Sequence, residues 1–593
     1  MTIMQINDIM ETVIHSINQS RRIEKMDRRA KLAAAGSIFV LVVIVIAVSA
    51  ILIKRFTPSR EVMPLEEYYQ AEEGDVLVML HDQYCEETAK LIDGQIYFRF
   101  DMVQELFNHR FYWDENENIL SYTTPTEIIR AEVGSQDYTV NMNKTTAQYQ
   151  IVKTQGDAVY LAAEFVKQYS DMDYQFYEDP DRVTVQYEWK DYLYADVRRA
   201  TQLRTEPDIK SPILRELETG EKLLYVDAAT EQEQNGFVKV MTADGIIGYV
   251  QTRALTDSYY ETLESDFEAP VYTSIQRDYT INMVWHQVTN QSANDNVMSL
   301  LENTKGITAI SPTWFRIASV DGTLSSLASE SYVARMKEQG IEVWALVDNF
   351  HPDVDTFQVL SYTSRRERLV NEIIAAAIKY GLNGINIDFE SLDVETGPHY
   401  IQFLRELSVK CRTNGIVLSV DNYVPASYNA FYDREEQGEI VDYVIIMGYD
   451  EHHSRSETAG SVASIGYTRE ALENTLEEVP AEKIIMGIPF YTRLWREATI
   501  DGVTSLSSEA LSMASAESVI EQYGAEPVWD EETGQYYIEY ERDGAVYKMW
   551  QEEERSIEEK MKVIHDAQIA GVAAWRLGYE TPEIWNVILR YVN

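Results

Sequence analysis

The chain has 593 residues, 45% of them hydrophobic and 25% charged, so we expect it to fold into two to four domains. Its net charge of −46 argues against a nucleic-acid partner, because binding phosphates needs clustered Lys and Arg. The two cysteines, Cys85 and Cys411, lie far apart, which excludes a disulfide framework, and the sequence has no Cys/His spacing typical of a zinc site.

One segment near the N-terminus predicts a membrane helix. Residues 32–53 carry no charge and are long enough, as a helix, to cross a bilayer. Several Lys and Arg residues precede them, so the positive-inside rule places residues 1–31 in the cytoplasm and the rest of the chain outside. The alternative is a cleaved signal peptide, whose apolar core is usually shorter. We predict a single-pass anchor in the cell membrane, with the later domains on the cell-wall side.

Residues 64–190 contain a weak internal repeat. In 97–124 and again in 160–187, apolar residues at helical spacing precede a strand, an acidic turn and a second strand. This α+β region resembles the N-terminal domain of copper amine oxidases, although no set of copper ligands accompanies it. We predict a stalk that spaces the later domains from the membrane, and glycan binding is the alternative.

Residues 195–256 show short alternating strands separated by Pro and Gly. The segment resembles a bacterial SH3-like domain, which is a small all-β fold. The matching positions are Leu203, Arg204, Pro207, Gly220, Asp244, Gly245, Gly248, Tyr249 and Val250. Because that family often binds cell-wall peptides or glycans, the resemblance implies either a wall-binding module or a structural spacer.

Between residues 269 and 593, eight short apolar stretches alternate with amphipathic segments. Eight strand–helix units predict the α/β class and a (β/α)8 TIM barrel. A doubly wound sheet fits less well, because no Gly-rich loop follows the first strand. Residues 527–550 predict a small α+β insertion, with a hairpin over the barrel mouth. The predicted strands are 279–286, 306–315, 341–350, 384–390, 416–424, 441–450, 483–491 and 571–580.

The fourth predicted strand lies in the sequence NGINIDFESL, which alternates polar and apolar residues. Asn386, Asp388 and Glu390 therefore share the face that points into the barrel. Glu390 comes last, at the C-terminal end where barrel active sites lie. Burial and the charge of Asp388 predict a raised pKa for Glu390, which suits a general acid. The alternatives are a buried polar pair and a metal site.

Five ordered motifs resemble glycoside hydrolase family 18, the chitinase-like barrels, and within it the spore-cortex and peptidoglycan-lytic N-acetylglucosaminidase branch. NGINIDFE is similar to the DGxDxDxE signature of that family. The other four motifs, ISPTWF, MGYD, GIPFY and AWRLGYE, each lie on or beside a predicted strand. Asn383 and Asn386 depart from the pattern, since chitinases usually carry Asp at these positions. The loss of these two charges should change the pKa of Asp388.

The resemblance implies catalytic and sugar-binding roles for eight residues and implies no metal or organic cofactor. Glu390 would be the general acid/base. Asp388 would orient the 2-acetamido group of the substrate and stabilise an oxazolinium intermediate, while Tyr449 would hydrogen-bond the same group. The implied sugar-binding residues are Trp575, as an apolar floor under the sugar, together with Asp450, Asn386, Tyr491 and Trp314.

The implied function is that of an extracytoplasmic glycosidase anchored in the membrane. It would cleave β-1,4 bonds after N-acetylglucosamine in peptidoglycan, by a retaining mechanism in which the acetamido group of the substrate acts as nucleophile. This fits the position of Asp388 and Glu390 on one wall, from which they cannot flank a glycosidic bond. The alternatives are chitin or another GlcNAc glycan as substrate, a non-catalytic glycan-binding barrel with its pocket disrupted, and an envelope scaffold.

Overall fold

The computed structural model describes residues 28–592, except 73, 82, 227–232 and 501–502. Most of the predicted cytoplasmic segment, residues 1–27, lies outside the described residues. The chain divides into two compact units, one of Met1–Met102 with Ala163–Phe267 and one of Val103–Ala162 with Glu268–Asn593. The predicted stalk, 64–190, is divided between them.

In the part of the first unit that the structure describes, the first element is the helix Arg28–Phe56. Within Ala30–Phe56, an 18-residue window has a mean hydropathy of 3.1 and is not buried. By length and composition this helix could cross a membrane, and it contains the predicted segment 32–53.

Two β-sheet regions follow in the first unit. In one, Asp75–Leu80 pairs in parallel with Arg182–Gln186 and antiparallel with Gln83–Ile92. The other is a seven-stranded antiparallel sheet. It covers the predicted SH3-like domain, 195–256, and extends a few residues beyond each end of it. Its strands, in spatial order, are Ile213–Leu217, Thr201–Arg204, Ile247–Gln251, Phe237–Thr242, Lys222–Tyr225, Asp191–Asp196 and Tyr259–Thr262.

Both halves of the predicted repeat have the expected local structure. In 97–124, the helical residues Phe100–Met102 and Val103–Phe107 precede the antiparallel strands Tyr112–Asp114 and Ile119–Thr123. In 160–187, the helix Ala163–Tyr169 precedes the antiparallel strands Asp173–Tyr177 and Arg182–Gln186.

The second unit contains the predicted barrel. Its eight parallel strands close where β1 pairs with both β2 and β8, so the predicted (β/α)8 fold is confirmed. The strands are β1 Ile281–His286, β2 Ala309–Ile317, β3 Glu342–Asp348, β4 Gly384–Asp388, β5 Val417–Tyr423, β6 Tyr443–Met447, β7 Ile484–Pro489 and β8 Gly571–Trp575.

Helices cover the outside of the barrel. The helix Thr363–Tyr380 buries Leu369, Ile373 and Ala377, at helical spacing, and ends at Gly381, whose φ of 65° is the left-handed conformation that glycine adopts easily. The other helices are Val297–Leu301, Glu330–Glu338, Thr356–Leu360, Gly397–Asn414, Arg434–Ile440, Ile465–Glu478, Glu554–Asp566 and Ile584–Ile588.

The strands bury side chains on both faces. On β4, Ile385 and Ile387, with Phe389 just beyond, join the apolar layer between strands and helices. Inside the barrel, Trp344, Leu346 and Tyr443 belong to a second apolar cluster. The alternation along β4 therefore leaves Asn386 and Asp388 on the inner face, as predicted.

The insertion between β7 and β8 is larger than the predicted hairpin. That hairpin is the pair Gln535–Arg542 and Ala545–Gln551, and it belongs to a five-stranded antiparallel sheet. The remaining elements of the insertion are the strands Tyr491–Ile500, Val503–Ser512 and Val528–Asp530 and the helix Met513–Tyr523.

A five-stranded sheet of residues 112–146 also belongs to the second unit and is joined to the barrel helices by ion pairs. Glu406 accepts hydrogen bonds from Arg366 and Arg130, each at 3.0 Å. Glu436 is bonded by Arg110, at 2.9 Å, and by Arg405, at 2.7 Å. The remaining strands of this sheet are Ile128–Glu132, Asp137–Val140 and Asn143–Thr146.

Candidate active site

A cavity of about 610 Å³ opens at the C-terminal ends of the barrel strands. Its wall carries five carboxylic acids, and among the described residues that line it Arg316 is the one Lys, Arg or His. Such a surface is suited to holding protons and hydroxyl groups. The polar and aromatic residues of the wall include Trp285, Trp314, Arg316, Asp348, Asp388, Glu390, Asp421, Tyr423, Tyr449, Asp450, Tyr491 and Trp575.

Glu390 is held at the cavity through both its backbone and its side chain. The amide of Asn349 accepts from the Glu390 N–H at 3.0 Å and donates to the Glu390 carbonyl at 2.9 Å. The hydroxyl of Tyr423 donates to Glu390 Oε2 at 2.7 Å. The carboxyl group is therefore fixed at the C-terminal end of β4, with one oxygen bonded to a phenol.

The surroundings of Glu390 favour its protonated form. Burial raises the pKa of its carboxyl group, and the charges of Asp450 and Asp348 add to this, while the bond from Tyr423 acts in the opposite direction. A glutamic acid that keeps its proton towards neutral pH can act as a general acid.

Asp388 lies deeper than Glu390 and is 7% exposed. Burial, followed by the charges of Asp421, Glu390 and Asp348, raises its pKa well above the usual range. Its Oδ1 atom is buried and has no hydrogen-bond partner among the residues described. Asp388 thus has a carboxyl oxygen that can accept a hydrogen bond from a ligand, close to the predicted acid Glu390.

Aromatic side chains line the cavity at the C-terminal ends of β6 and β8. The indole ring of Trp575 lies 6.0 Å from that of Trp285, and the ring of Tyr449 lies 6.3 Å from Trp285. The hydroxyl of Tyr491 donates to Asp450 Oδ1 at 2.5 Å. The predicted residues Tyr449, Trp575, Asp450 and Tyr491 are therefore brought together on one cavity wall.

Two predicted substrate-binding residues have surroundings different from those expected. Trp314 lines the cavity but is only 2% exposed, and its indole N–H donates to Asn294 at 2.8 Å, so most of the ring belongs to the core. Asn386 is completely buried and does not line the cavity. Its amide is bonded to Trp285, Ser311 and Asp421, which suits a residue that supports the cavity from below.

Four features of the site were not predicted from the sequence: Asn349, Tyr423, Asp421 and the ion pair of Arg316 with Asp348. Asp421 and Tyr423 share one face of β5, but the polar Asn422 stands between them, so β5 lacks the polar–apolar alternation that identified Asp388 and Glu390. Asn349 follows the end of β3, and nothing in its local sequence indicates a contact with Glu390. Within the described part of the chain, no group of three or more His, Cys, Asp or Glu is arranged to hold a metal ion.

Comparison with known proteins identifies the family. The sequence model for glycosyl hydrolases family 18 matches residues 283–580, half of the chain. The sequence model for the copper amine oxidase N-terminal domain matches residues 81–185, in agreement with the resemblance noted for the predicted stalk. The SH3-like resemblance stays a prediction.

Relatives match about half of this chain. The uncharacterized glycosylase YvbX of Bacillus subtilis is 28% identical over 45% of this chain and 80% of its own length. The cortical fragment-lytic enzyme of Bacillus anthracis is 27% identical over 45% of this chain, but the match spans just under two thirds, 64%, of that protein. The crystal structure of the Bacillus cereus spore cortex-lytic enzyme SleL has 23% identity and a TM-score of 0.48, covering 57% of this chain and 79% of that one. By its match to the family sequence model, the chain belongs to the glycosyl hydrolases of family 18.

Proposed function

We propose that the protein is an extracytoplasmic glycosidase, anchored in the membrane by the helix Arg28–Phe56, that cleaves peptidoglycan at β-1,4 bonds after N-acetylglucosamine. The observation that carries the proposal is the position of Glu390 at the cavity, with a raised pKa and a phenol bonded to one oxygen. The apolar helix and the relatives named cortical fragment-lytic enzymes favour the cell wall as the place of action.

The proposed reaction begins with proton transfer from Glu390 to the leaving glycosidic oxygen. Asp388 stands on the same strand and Asp348 is paired with Arg316, at 2.6 Å, so neither carboxylate is placed to attack from the opposite face. The acetamido oxygen of the substrate would instead attack the anomeric carbon and form an oxazolinium ion. Water, deprotonated by Glu390, would then open this ion with overall retention.

Two further residues would act on the acetamido group. Asp388, with its unpartnered Oδ1, would accept the acetamido N–H and stabilise the positive charge of the oxazolinium ion. The Tyr449 hydroxyl would donate to the acetamido oxygen, and Trp575 would form the apolar floor under the sugar. A barrel that had lost catalysis would be expected to have Tyr449 or Trp575 displaced, but both line an open cavity, which supports an enzyme over a binding protein.

The test uses the full chain in detergent, purified peptidoglycan and the variant Glu390→Gln. After digestion the products are reduced with borohydride, and the reduced ends are identified by mass spectrometry. We expect reduced N-acetylglucosamine ends with the wild type, and a loss of at least 1,000-fold in Glu390→Gln, since proton transfer and water activation both depend on this residue (roughly 10²–10⁴-fold each).

The matched control is Glu395→Gln, the same chemical change at an exposed residue outside the cavity lining. It should digest peptidoglycan like the wild type. Reduced N-acetylmuramic acid ends would contradict the proposed bond specificity. Cleavage of chitin oligomers without cleavage of peptidoglycan would move the substrate to chitin, and retention on the wall without any cleavage would favour a binding protein.

A further inference from the structure

Arg316, the one Lys, Arg or His among the described residues that line the cavity, is held in a fixed position. It lies near the end of β2 and pairs there with Ser325 of the short strand Leu324–Ser326. Its guanidinium group donates to Asp348 through Nε at 2.6 Å and Nη2 at 3.1 Å. Asp348 is only 3% exposed and also accepts from the backbone N–H of Phe350 at 3.0 Å, so the carboxylate that holds Arg316 is itself fixed.

The pair with Asp348 uses only one edge of the guanidinium group. Of the five N–H donors that a guanidinium has, the bonds to Asp348 use two. Nη1 and the second N–H of Nη2 have no partner among the residues that the structure describes, and the Arg316 side chain is 45% exposed. Because the group is planar and charged, its outer edge is suited to an oxygen acceptor such as a carboxylate or an amide carbonyl.

Arg316 lies beyond the sugar that Asp388 would bind. It is in register with Asp348 on β3, which is in register with Asp388 on β4. Neighbouring strands are about 4.8 Å apart, so roughly 10 Å separates the backbones of Arg316 and Asp388. A sugar ring is shorter than this distance, so a ligand of Arg316 would belong to a neighbouring sugar of the glycan chain.

The acidic groups of the cavity do not exclude an anionic ligand at Arg316. Burial raises the pKa of Asp388, Glu390 and Asp421, so the wall carries less negative charge near neutral pH than its five carboxyl groups would if all were ionised. Asp348 is neutralised by the pair with Arg316 itself. The outer edge of Arg316 is therefore the place in the cavity wall where an acidic or carbonyl group of a substrate is attracted.

Resting on the function proposed above, we infer that Arg316 is a specificity-determining residue that binds the lactyl group of N-acetylmuramic acid. Peptidoglycan strands alternate N-acetylglucosamine with N-acetylmuramic acid, whose lactyl ether ends in a carboxylate or, where a peptide is attached, in an amide carbonyl. With N-acetylglucosamine over Asp388, as proposed, both neighbouring sugars are N-acetylmuramic acid. The outer edge of Arg316 would donate to the lactyl oxygen of one of them, a group that chitin lacks.

The test measures binding by calorimetry, with the full chain in detergent and with Glu390→Gln in every protein so that no ligand is cleaved. Three tetrasaccharides serve as ligands: chitotetraose, a tetramer of alternating N-acetylglucosamine and N-acetylmuramic acid, and the same tetramer with its lactyl groups converted to methylamides. We expect Arg316→Gln to bind the muramic acid tetramer about 10-fold more weakly, because a bond from a charged donor is lost, and to bind chitotetraose within about twofold of its parent.

The comparison of ligands separates the lactyl contact from any effect that acts through Asp348. An equal loss for chitotetraose, or no loss for the muramic acid tetramer, would overturn the inference. A loss that extends to the methylamide would show that the carbonyl oxygen suffices, and a loss confined to the acid would assign the contact to peptide-free muramic acid. Should Arg316→Gln fail to fold, Arg316→Lys keeps a positive charge beside Asp348 but lacks the planar second edge, and the same selective loss is expected.

The matched control is Arg368→Gln, at an exposed pair with Asp321 outside the cavity lining, which should bind all three ligands like its parent. The proposed function is tested separately, by cleavage with Glu390 intact. Selective binding without any cleavage would contradict the proposed function and support the role of Arg316. Cleavage of peptidoglycan with no difference between Arg316→Gln and its parent would do the reverse.

Discussion

Replacing Tyr423 by Phe should change the pH dependence of catalysis in a direction that the site fixes. The phenol of Tyr423 donates to Glu390 Oε2 at 2.7 Å, and a bond to the ionised carboxylate favours the ionised form. Without it the pKa of Glu390 should rise further, because burial and the charges of Asp450 and Asp348 remain. A general acid must be protonated, so the alkaline limb of kcat/KM should move to higher pH.

The size of the shift follows from the strength of one hydrogen bond. Bonds to charged groups contribute about 1.5–3 kcal/mol, and one pKa unit corresponds to about 1.4 kcal/mol. Tyr423 and Glu390 are both partly exposed to the cavity, so the lower end of this range applies. We expect the alkaline limb to move up by about one pH unit.

The assay is the pH profile of kcat/KM between pH 4 and 10 on a soluble peptidoglycan fragment. The control is Tyr432→Phe, because the hydroxyl of Tyr432 donates to the carbonyl oxygen of Phe389, at 3.0 Å, and not to a carboxylate. That variant should leave the alkaline limb within a few tenths of a unit. An unchanged or more acidic limb in Tyr423→Phe would refute the reasoning that this phenol stabilises the ionised form of the acid.

Two further predictions concern the stability of the barrel unit and the floor of the cavity. Glu406→Gln should lower the free energy of unfolding by about 3–5 kcal/mol in urea titrations, because it leaves the fully buried Arg366 without the carboxylate that pairs with it. Glu367→Gln, at a pair whose carboxylate is 37% exposed, should cost less than about 1 kcal/mol, and similar costs in the two variants would contradict this account. Trp575→Ala should lower kcat/KM roughly 30-fold, since about 2 kcal/mol of apolar contact with the sugar is lost. Trp529→Ala, in the insertion and outside the cavity lining, should stay within about twofold of wild type, and an equal loss in both variants would show that Trp575 is not a specific sugar contact.

Much of the fold was predictable because it is encoded locally. Each barrel strand is a short apolar stretch, and each covering helix has an apolar face at helical spacing, as in Thr363–Tyr380. The insertion between β7 and β8 was only partly predicted. Its second hairpin was recognised within residues 527–550, whereas the long first hairpin, Tyr491–Ile500 and Val503–Ser512, was missed although the sequence Asp501-Gly502 between its strands is a typical two-residue turn signal.

The sequence by itself determined the inner face of β4, and with it the candidate acid. Asn386, Asp388 and Glu390 are polar at a period of two in an otherwise apolar strand, and only a barrel interior or a site explains that pattern. Only the tertiary structure decided which side chains surround them. Tyr423 and Asp421 come from β5, Asn349 from the end of β3, and the lateral register that joins these strands is set by long-range packing, which no local pattern encodes.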